Sequence, residues 1–283
     1  MPWPVTSPFR IRPHLEKLDP DSPELFLKDS RAAAYRAQKQ HLLDTHRERC
    51  IVTHRSSSEM QEIGELILQR YGSASPPHAH VHLHLQAHAL ELDTPAIDHA
   101  TVALQEDFVV LKNDHDVLRT DYLSVCFPSR WDPRTKLGLD FAQIHAPVAD
   151  NAMLLAAGPS IMTMAFMKQS MLRHVWLIVP SASLPQHPDQ NDYSWAETLR
   201  DPLPLLPRLF FRVERQTTLP LPLHNRAVFF IRVMMCSLLD ALRVEPHRAH
   251  ALREALVSMT PAVVAYRGMT EAMPRLLGEL NAI

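Results

Sequence analysis

The sequence predicts an α+β fold with a mainly antiparallel sheet. Helix-forming residues dominate the early part of the chain, and period-two apolar segments recur through its middle. Three of the predicted strands then follow one another before a final helical region. Because runs of strands followed by runs of helices are typical of α+β proteins, these three observations together indicate that class.

The N-terminal region is predicted to be an irregular arm followed by helices. Residues 1–24 are rich in proline, which favours a surface arm with turns. Residues 24–47 change to Ala, Leu, Lys, Arg and Gln, which predicts one or two helices. Ser58 and Gln61 have the spacing of a capping box, so we expect the next helix to begin there.

Residues 78–88 alternate histidine with apolar residues, and this period of two predicts a strand with its histidines on one face. That face could bind a metal ion, or it could face solvent or a partner. Successive residues on one face of a strand lie roughly 7 Å apart, which is wider than a single tetrahedral ion needs. The spacing therefore favours the solvated or partner-facing alternative.

The remainder of the chain alternates predicted strands with helices. Residues 151–172 form a methionine-rich helix that Gly158 and Pro159 interrupt or restart. A proline-rich loop or insertion is expected over residues 180–207. The predicted strands are residues 122–127, 175–179, 209–216 and 227–235, and the C-terminal helices are residues 246–259 and 270–281.

Composition excludes several functional classes. The net charge of −2 over 283 residues and the absence of a basic run argue against nucleic-acid binding. The six glycines are too far apart for a glycine-rich nucleotide loop, so any electrons are expected from another protein or a cofactor held differently. The three isolated cysteines indicate a reducing compartment, and no segment reads as a signal peptide or membrane span. We therefore expect a cytoplasmic protein.

Two groups of residues are candidates for chemistry. Alternation along residues 209–216 places Arg212, Glu214 and Gln216 on one face of a strand and Arg215 on the other. The first three could form a solvent-facing salt bridge, or a polar patch inside a cavity. His145 could be an ordinary core or surface histidine, a general base, or an axial ligand of haem iron. Cys126 and Cys236 lie in apolar runs and are expected to be inert thiols.

Seven short motifs occur in an order that resembles one known family, the haem-dependent oxidative N-demethylases, and specifically their haem-binding α subunit. The resemblance extends from about Pro8 to about Leu280. The motifs are Leu18-Asp19-Pro20, Gln105-Glu106-Asp107-Phe108, Phe127-Pro128-Ser129-Arg130-Trp131, Lys136-Leu137-Gly138, Ile144-His145-Ala146-Pro147-Val148, Arg212-Val213-Glu214-Arg215-Gln216-Thr217 and Tyr266-Arg267-Gly268.

The resemblance implies a PAS-like, mainly antiparallel sheet with flanking helices and helical extensions at both ends. Residues 76–283 would form the PAS-like haem-binding core, and residues 1–75 an arm and helical region that pack on it as one compact unit. The implied chemistry is oxygen activation by b-type haem and oxidation of a small amine. Electrons would come from NADPH through a separate reductase subunit that holds FMN and a 2Fe-2S cluster.

The resemblance also implies roles for individual residues. His145 would be the proximal ligand of the haem iron, and Trp131 and Lys136 would contact the cofactor. Arg212, Glu214 and Arg215 would polarise bound dioxygen or hold the amine. After Thr217 the family usually continues with two arginines that this chain lacks, so the amine itself is left open. A haem-binding gas or redox sensor without catalytic activity, and a haem-free structural relative, are the alternative readings.

Overall fold

The predicted α+β class is confirmed by the computed structural model, which describes residues 1–19, 22–73, 95–190 and 194–283. The described strands form one seven-stranded sheet in which every neighbouring pair is antiparallel, in the order β1-β5-β6-β7-β3-β4-β2. The strands are β1 (Glu16–Lys17), β2 (Ile51–Thr53), β3 (Asp107–Asp114), β4 (Val117–Ser124), β5 (Met171–Val179), β6 (Phe210–Leu221) and β7 (Arg226–Ser237).

The helices lie mostly before β3, between β4 and β5, and after β7. Short 3-10 turns and a π-helical turn over Met162–Lys168 connect some of them. The α-helices are α1 (Ala32–Cys50), α2 (Gln61–Ser73), α3 (Ala96–Ala103), α4 (Phe141–His145), α5 (Ala152–Ile161), α6 (Trp195–Arg200), α7 (Leu238–Arg243), α8 (Arg248–Val257), α9 (Pro261–Tyr266) and α10 (Met273–Leu280).

The three consecutive strands predicted late in the chain form the centre of the sheet. In its register, Glu214 of β6 lies opposite Val175 of β5 and Val233 of β7. Residues directly opposite each other in an antiparallel pair point to the same side of the sheet. The register therefore defines two faces, which we call the Glu214 face and the Phe211 face after residues of β6.

The Phe211 face carries the larger share of the apolar core. Around Phe211 and Val213 it packs against the C-terminal helices, among them Leu252 and Leu276. Farther along the sheet, Phe230 packs against residues of α2 and α3. These contacts bury the apolar side chains on this side of the central strands.

In the part of the chain that the structure describes, helices cover the Glu214 face at its two ends. At one end α1 packs against the β7 residues Val233 and Met235. At the other end α5 and the π-helical turn pack against Leu111 and Ala227. The side chains between these two covers are partly exposed, although they belong to central strands.

Several local predictions change in the structure. The predicted Ser58–Gln61 capping box is wrong: the reciprocal bonds instead join Ser56 to Glu59, whose carboxylate accepts from the Ser56 amide at 2.8 Å. The Oε1 of Gln61 accepts from the backbone N–H of Ala96 at 2.8 Å, so a tertiary contact removes it from the cap. The proline-rich segment contains a short helix, α6, rather than loop alone. The predicted histidine strand lies outside the described residues.

None of the helices in the described part of the chain has the length and apolar content that crossing a lipid bilayer requires.

Candidate functional site

The partly exposed centre of the Glu214 face is the candidate site. Arg173 and Val175 of β5, Gln216 of β6 and Phe229 of β7 are all half-buried there. Trp131 and Phe229 both pack against an apolar cluster that contains Val109. A sheet face that combines apolar walls with a few polar groups has the composition of a ligand site.

Glu214 is held in place by two hydrogen bonds. Its side chain is 9% exposed. The hydroxyl of Ser129 donates a short hydrogen bond to Oε1, and the amide of Gln216 donates to Oε2 at 2.8 Å. An ionised carboxylate offers about four acceptor positions, so two remain for a ligand.

Arg212 supports Glu214 indirectly, through Ser129. Its Nε donates to the Oγ of Ser129 at 2.8 Å, and its two terminal nitrogens donate to the carbonyl oxygens of Leu184 and Phe127 at 2.9 Å. The side chain is fully buried. Arg212 and Glu214 are therefore brought together, as the sequence predicted, but through Ser129 and without a direct ion pair. The guanidinium clamps two loops and orients the hydroxyl that holds Glu214.

His145 ends α4. That helix begins with a capping box between Asp140 and Gln143, whose amide donates to the Asp140 carboxylate at 2.9 Å. The Nδ1 of His145 lies 2.8 Å from the carbonyl oxygen of Phe141. Since a carbonyl oxygen can only accept, Nδ1 must carry the proton and donate. The ring centroids of Phe141 and His145 lie 4.1 Å apart, so the imidazole is held by a hydrogen bond and a ring contact.

The imidazole of His145 is neutral near physiological pH. Burial lowers its pKa, and the positive charges of Arg173 and Lys136 lower it further, while the hydrogen bond to Phe141 acts in the opposite direction. With Nδ1 protonated, the lone pair of a neutral imidazole is on Nε2. The histidine thus presents an unprotonated nitrogen, which is the form that binds a metal.

Electrostatic coupling shows that these groups share one region. Burial lowers the pKa of His145, and the charge of Arg173 lowers it further. Burial also lowers the pKa of Arg173, and the Glu214 carboxylate acts in the opposite direction. Burial raises the pKa of Tyr266, and the Glu214 carboxylate adds to that increase. The charge of Lys136 also acts on His145. The loop that carries Lys136 is held against β4 by a hydrogen bond of 3.0 Å from the Gly138 N–H to the Thr120 carbonyl oxygen.

Arg215 is not part of this group. It points to the Phe211 face, where its guanidinium donates a short hydrogen bond to the carbonyl oxygen of Glu24. Its pKa is lowered by burial and raised by Glu106 and Glu24, which are its electrostatic neighbours. A ligand on the Glu214 face therefore does not contact Arg215.

Two other residues could in principle bind iron, and neither is arranged as His145 is. His174 lies opposite Arg215 in the sheet register, so it belongs to the Phe211 face. The Cys126 thiol is buried, and its pKa is raised well above the ordinary value by a hydrogen bond with Cys50, with burial adding to the increase. A protonated thiol is a poor iron ligand. Among the described residues, no three His, Cys, Asp or Glu side chains converge as a metal cluster.

Sequence reasoning missed Arg173, Ser129 and Tyr266. Apart from Arg173 and His174, the strand β5 is apolar, and an arginine in such a strand could have drawn attention. Ser129 and Tyr266 lie within two of the family-like motifs, but neither was selected as a candidate site residue. Their proximity to Glu214 depends on contacts between distant parts of the chain.

The fold and the site describe an α+β protein with a partly exposed polar patch on one sheet face, electrostatically coupled to a histidine whose free ring nitrogen could bind a metal. A comparison with family models gives the family. The model described as haem-dependent oxidative N-demethylase, alpha subunit-like, matches residues 14–277. The chain belongs to this family, and membership supports a haem-dependent, oxidative N-demethylase-like function. None of the curated proteins matches the chain.

Proposed function

We propose that this chain is the haem b-binding subunit of a cytoplasmic oxidative N-demethylase that acts on a small amine. Dioxygen is the proposed oxidant, and the electrons come from NADPH through a separate reductase subunit that holds FMN and a 2Fe-2S cluster. The observation that carries the proposal is the geometry of His145: its Nδ1 donates to Phe141, and its Nε2 is left unprotonated. The proposed cytoplasmic location is supported by the three cysteines, all of which are free thiols.

In this proposal His145 is the proximal ligand of the haem iron. A ligating histidine normally donates its other ring N–H to a carbonyl or carboxylate, which fixes the tautomer and the ring orientation. The bond to Phe141 does this here, and burial keeps the ring neutral. His145 therefore offers the neutral imidazole nitrogen that a haem iron binds. Bound haem would supply the reduction of dioxygen and the oxidation of the N-methyl carbon. Trp131 would pack against the porphyrin, and Lys136 would lie at its edge.

Glu214 is proposed to hold the amine. A small alkylammonium in an apolar site needs an acceptor, since burying an unpaired cation costs several kcal/mol. Glu214 has free acceptor positions on the partly exposed face, and Val175, its register partner on β5, provides an apolar wall beside it. The carboxylate would accept hydrogen bonds from the ammonium group and so orient the N-methyl group.

The remaining predicted site residues receive supporting roles. Arg212 is proposed to be a positioning residue, because its donors are bonded to Ser129 and to two carbonyl oxygens rather than directed at the opening. Arg215 is proposed to hold the N-terminal segment around Glu24 against the sheet. A PAS-like core remains part of the proposal.

The test is spectroscopic. The purified protein is expected to show a b-type haem spectrum in its oxidised and dithionite-reduced forms. His145→Ala should lose haem or shift the Soret band, while the matched control His174→Ala, on the opposite sheet face, should leave both unchanged. Glu214→Gln should keep haem but weaken the spectral shift that dimethylamine and related amines cause, and reduce formaldehyde release.

A haem sensor on the same scaffold predicts a different result. If no secondary or tertiary amine perturbs the wild-type spectrum and no formaldehyde forms with a supplied reductant, while carbon monoxide or nitric oxide binds reversibly, the enzyme assignment fails. An unchanged spectrum and haem content in His145→Ala would instead show that another residue is the iron ligand.

A further inference from the structure

Arg173 is a half-buried cation whose guanidinium lacks a hydrogen-bond or ion-pair partner among the described residues. Its Nε is enclosed without a hydrogen-bond acceptor, and no hydrogen bond, ion pair or ring contact joins its guanidinium to another described residue. Other enclosed arginines differ. Arg232 pairs with Asp29 at 3.0 Å, and Arg248 with Glu245 at 3.1 Å. Arg267 stacks on two aromatic rings, one of them Trp176 at 4.9 Å.

The missing partner is not supplied by Glu214. Glu214 acts on Arg173 electrostatically, but no hydrogen bond or ion pair joins the two side chains, and the Nε of Arg173 has no acceptor. Burial of the guanidinium works against its charge and lowers the pKa. An enclosed charge that the protein leaves unpaired is unfavourable, so it is retained when something outside the chain completes it.

The position of Arg173 indicates where that group comes from. Its register partner Gln216 places it on the Glu214 face, and it is half-buried at the opening between the two helical covers. It is electrostatically coupled to His145 on one side and to Glu214 on the other. A ligand that occupies the site would therefore meet this guanidinium.

We infer that Arg173 binds a carboxylate that a ligand of this site brings with it. Guanidinium groups match carboxylates because two parallel N–H donors face two oxygens. The carboxylate has two possible sources: a propionate of the haem, or the carboxylate of an N-methylated amino acid that serves as substrate. The naming of these sources rests on the proposed function, whereas the carboxylate chemistry rests on Arg173 itself.

The first experiment compares the thermal stability of the full chain without ligand. Arg173→Met removes an unpaired charge, so its Tm should equal or exceed that of the wild type. Arg212→Met, the matched control, removes a fully bonded guanidinium and should lower Tm by several degrees. A loss for Arg173→Met as large as that of the control would mean that the protein already satisfies Arg173, and would overturn the inference.

The second experiment tests the propionate source with metal-free protoporphyrin IX and its dimethyl ester, followed by fluorescence. If Arg173 holds a propionate, the wild type should bind the free acid at least about tenfold more tightly than the ester, a difference of about 1.4 kcal/mol. Arg173→Met should abolish this preference and Arg173→Lys should retain part of it. Since no iron is present, His145→Ala should keep the preference, which separates this result from the iron-ligand proposal.

The third experiment tests the substrate source by calorimetry with N-methylglycine and dimethylamine. If Arg173 holds a substrate carboxylate, the wild type should prefer N-methylglycine by about tenfold, and Arg173→Met should lose that preference. A protein that binds neither haem nor protoporphyrin would refute the proposed function, yet this calorimetry would still decide the role of Arg173. If neither carboxylate preference exists, or if both survive in Arg173→Met, the inference is wrong.

Discussion

Replacing Arg212 by methionine should destabilise the protein strongly, because Arg212 holds together segments that are distant in sequence. Its guanidinium donates to Ser129 between β4 and α4 and to Leu184 after β5. It also donates to the carbonyl of Phe127 at 2.9 Å. Methionine fills most of the same volume but leaves these three acceptors without donors.

The magnitude follows from the number of bonds lost. A hydrogen bond to a charged group is worth about 1.5–3 kcal/mol, and each buried acceptor left unpaired carries its own desolvation cost. Three such bonds would contribute about 4.5–9 kcal/mol, and removal of the desolvated guanidinium charge offsets part of their loss. We therefore expect the free energy of unfolding to fall by about 4 kcal/mol, which is a large part of the usual total of about 5–15 kcal/mol.

The assay is equilibrium urea unfolding of the haem-free protein, followed by circular dichroism. Arg243→Met is the control, since that arginine is exposed at the end of α7 and its loss should change the free energy by less than about 0.5 kcal/mol. Equal urea slopes for the variants and the wild type would show that the free energies are comparable. A loss below about 1 kcal/mol for Arg212→Met would refute the view that Arg212 is a positioning residue and would return it to direct ligand contact.

Two further predictions concern the fold. Gly64→Ala should destabilise the protein by about 1–3 kcal/mol, because an added Cβ would lie 2.2 Å from the backbone nitrogen of Ile97. In the same helix, the added Cβ of Gly72→Ala would meet no atom, so this variant should stabilise the protein by about 0.5–1 kcal/mol. Equal effects of the two variants in denaturant unfolding would contradict the tight α2–α3 contact. Burial raises the pKa of Glu106, so its contribution to stability is greatest below the unfolded-state pKa and is lost as pH rises through the folded one. Glu106→Gln, which can still accept from the Leu27 N–H, should match the wild type near pH 5 and exceed it near pH 8 in unfolding measurements, and the opposite order would disprove the argument.

The fold class could be predicted because it depends on local patterns. The apolar alternation of β5, β6 and β7, with short connections between the last two, indicates an antiparallel meander without knowledge of tertiary contacts. The two- and three-residue strands β1 and β2 could not be predicted, since their extended conformation depends on pairing with β5 and β4. The capping box shifted from Ser58 to Ser56 for the same reason: a contact with another helix decides which serine is used.

The candidate site was predicted in part. Alternation correctly placed Arg212, Glu214 and Gln216 on one face and Arg215 on the other, because the period of a strand is local. Arg173 could not be connected with them from sequence. Its place beside Gln216 is fixed by strand register, which depends on the packing of both sheet faces.

The first 53 residues supply both edge strands of the sheet, β1 and β2. During synthesis β2 can pair once residue 124 is available, whereas β1 must wait for residue 172. We therefore infer that residues 1–75 do not fold separately from residues 76–283, because both edge strands need partners from the later part of the chain. A chain shortened at its N-terminus would leave backbone donors and acceptors of β4 and β5 open to other copies, so proteolytic trimming of the arm should favour aggregation over a smaller native protein.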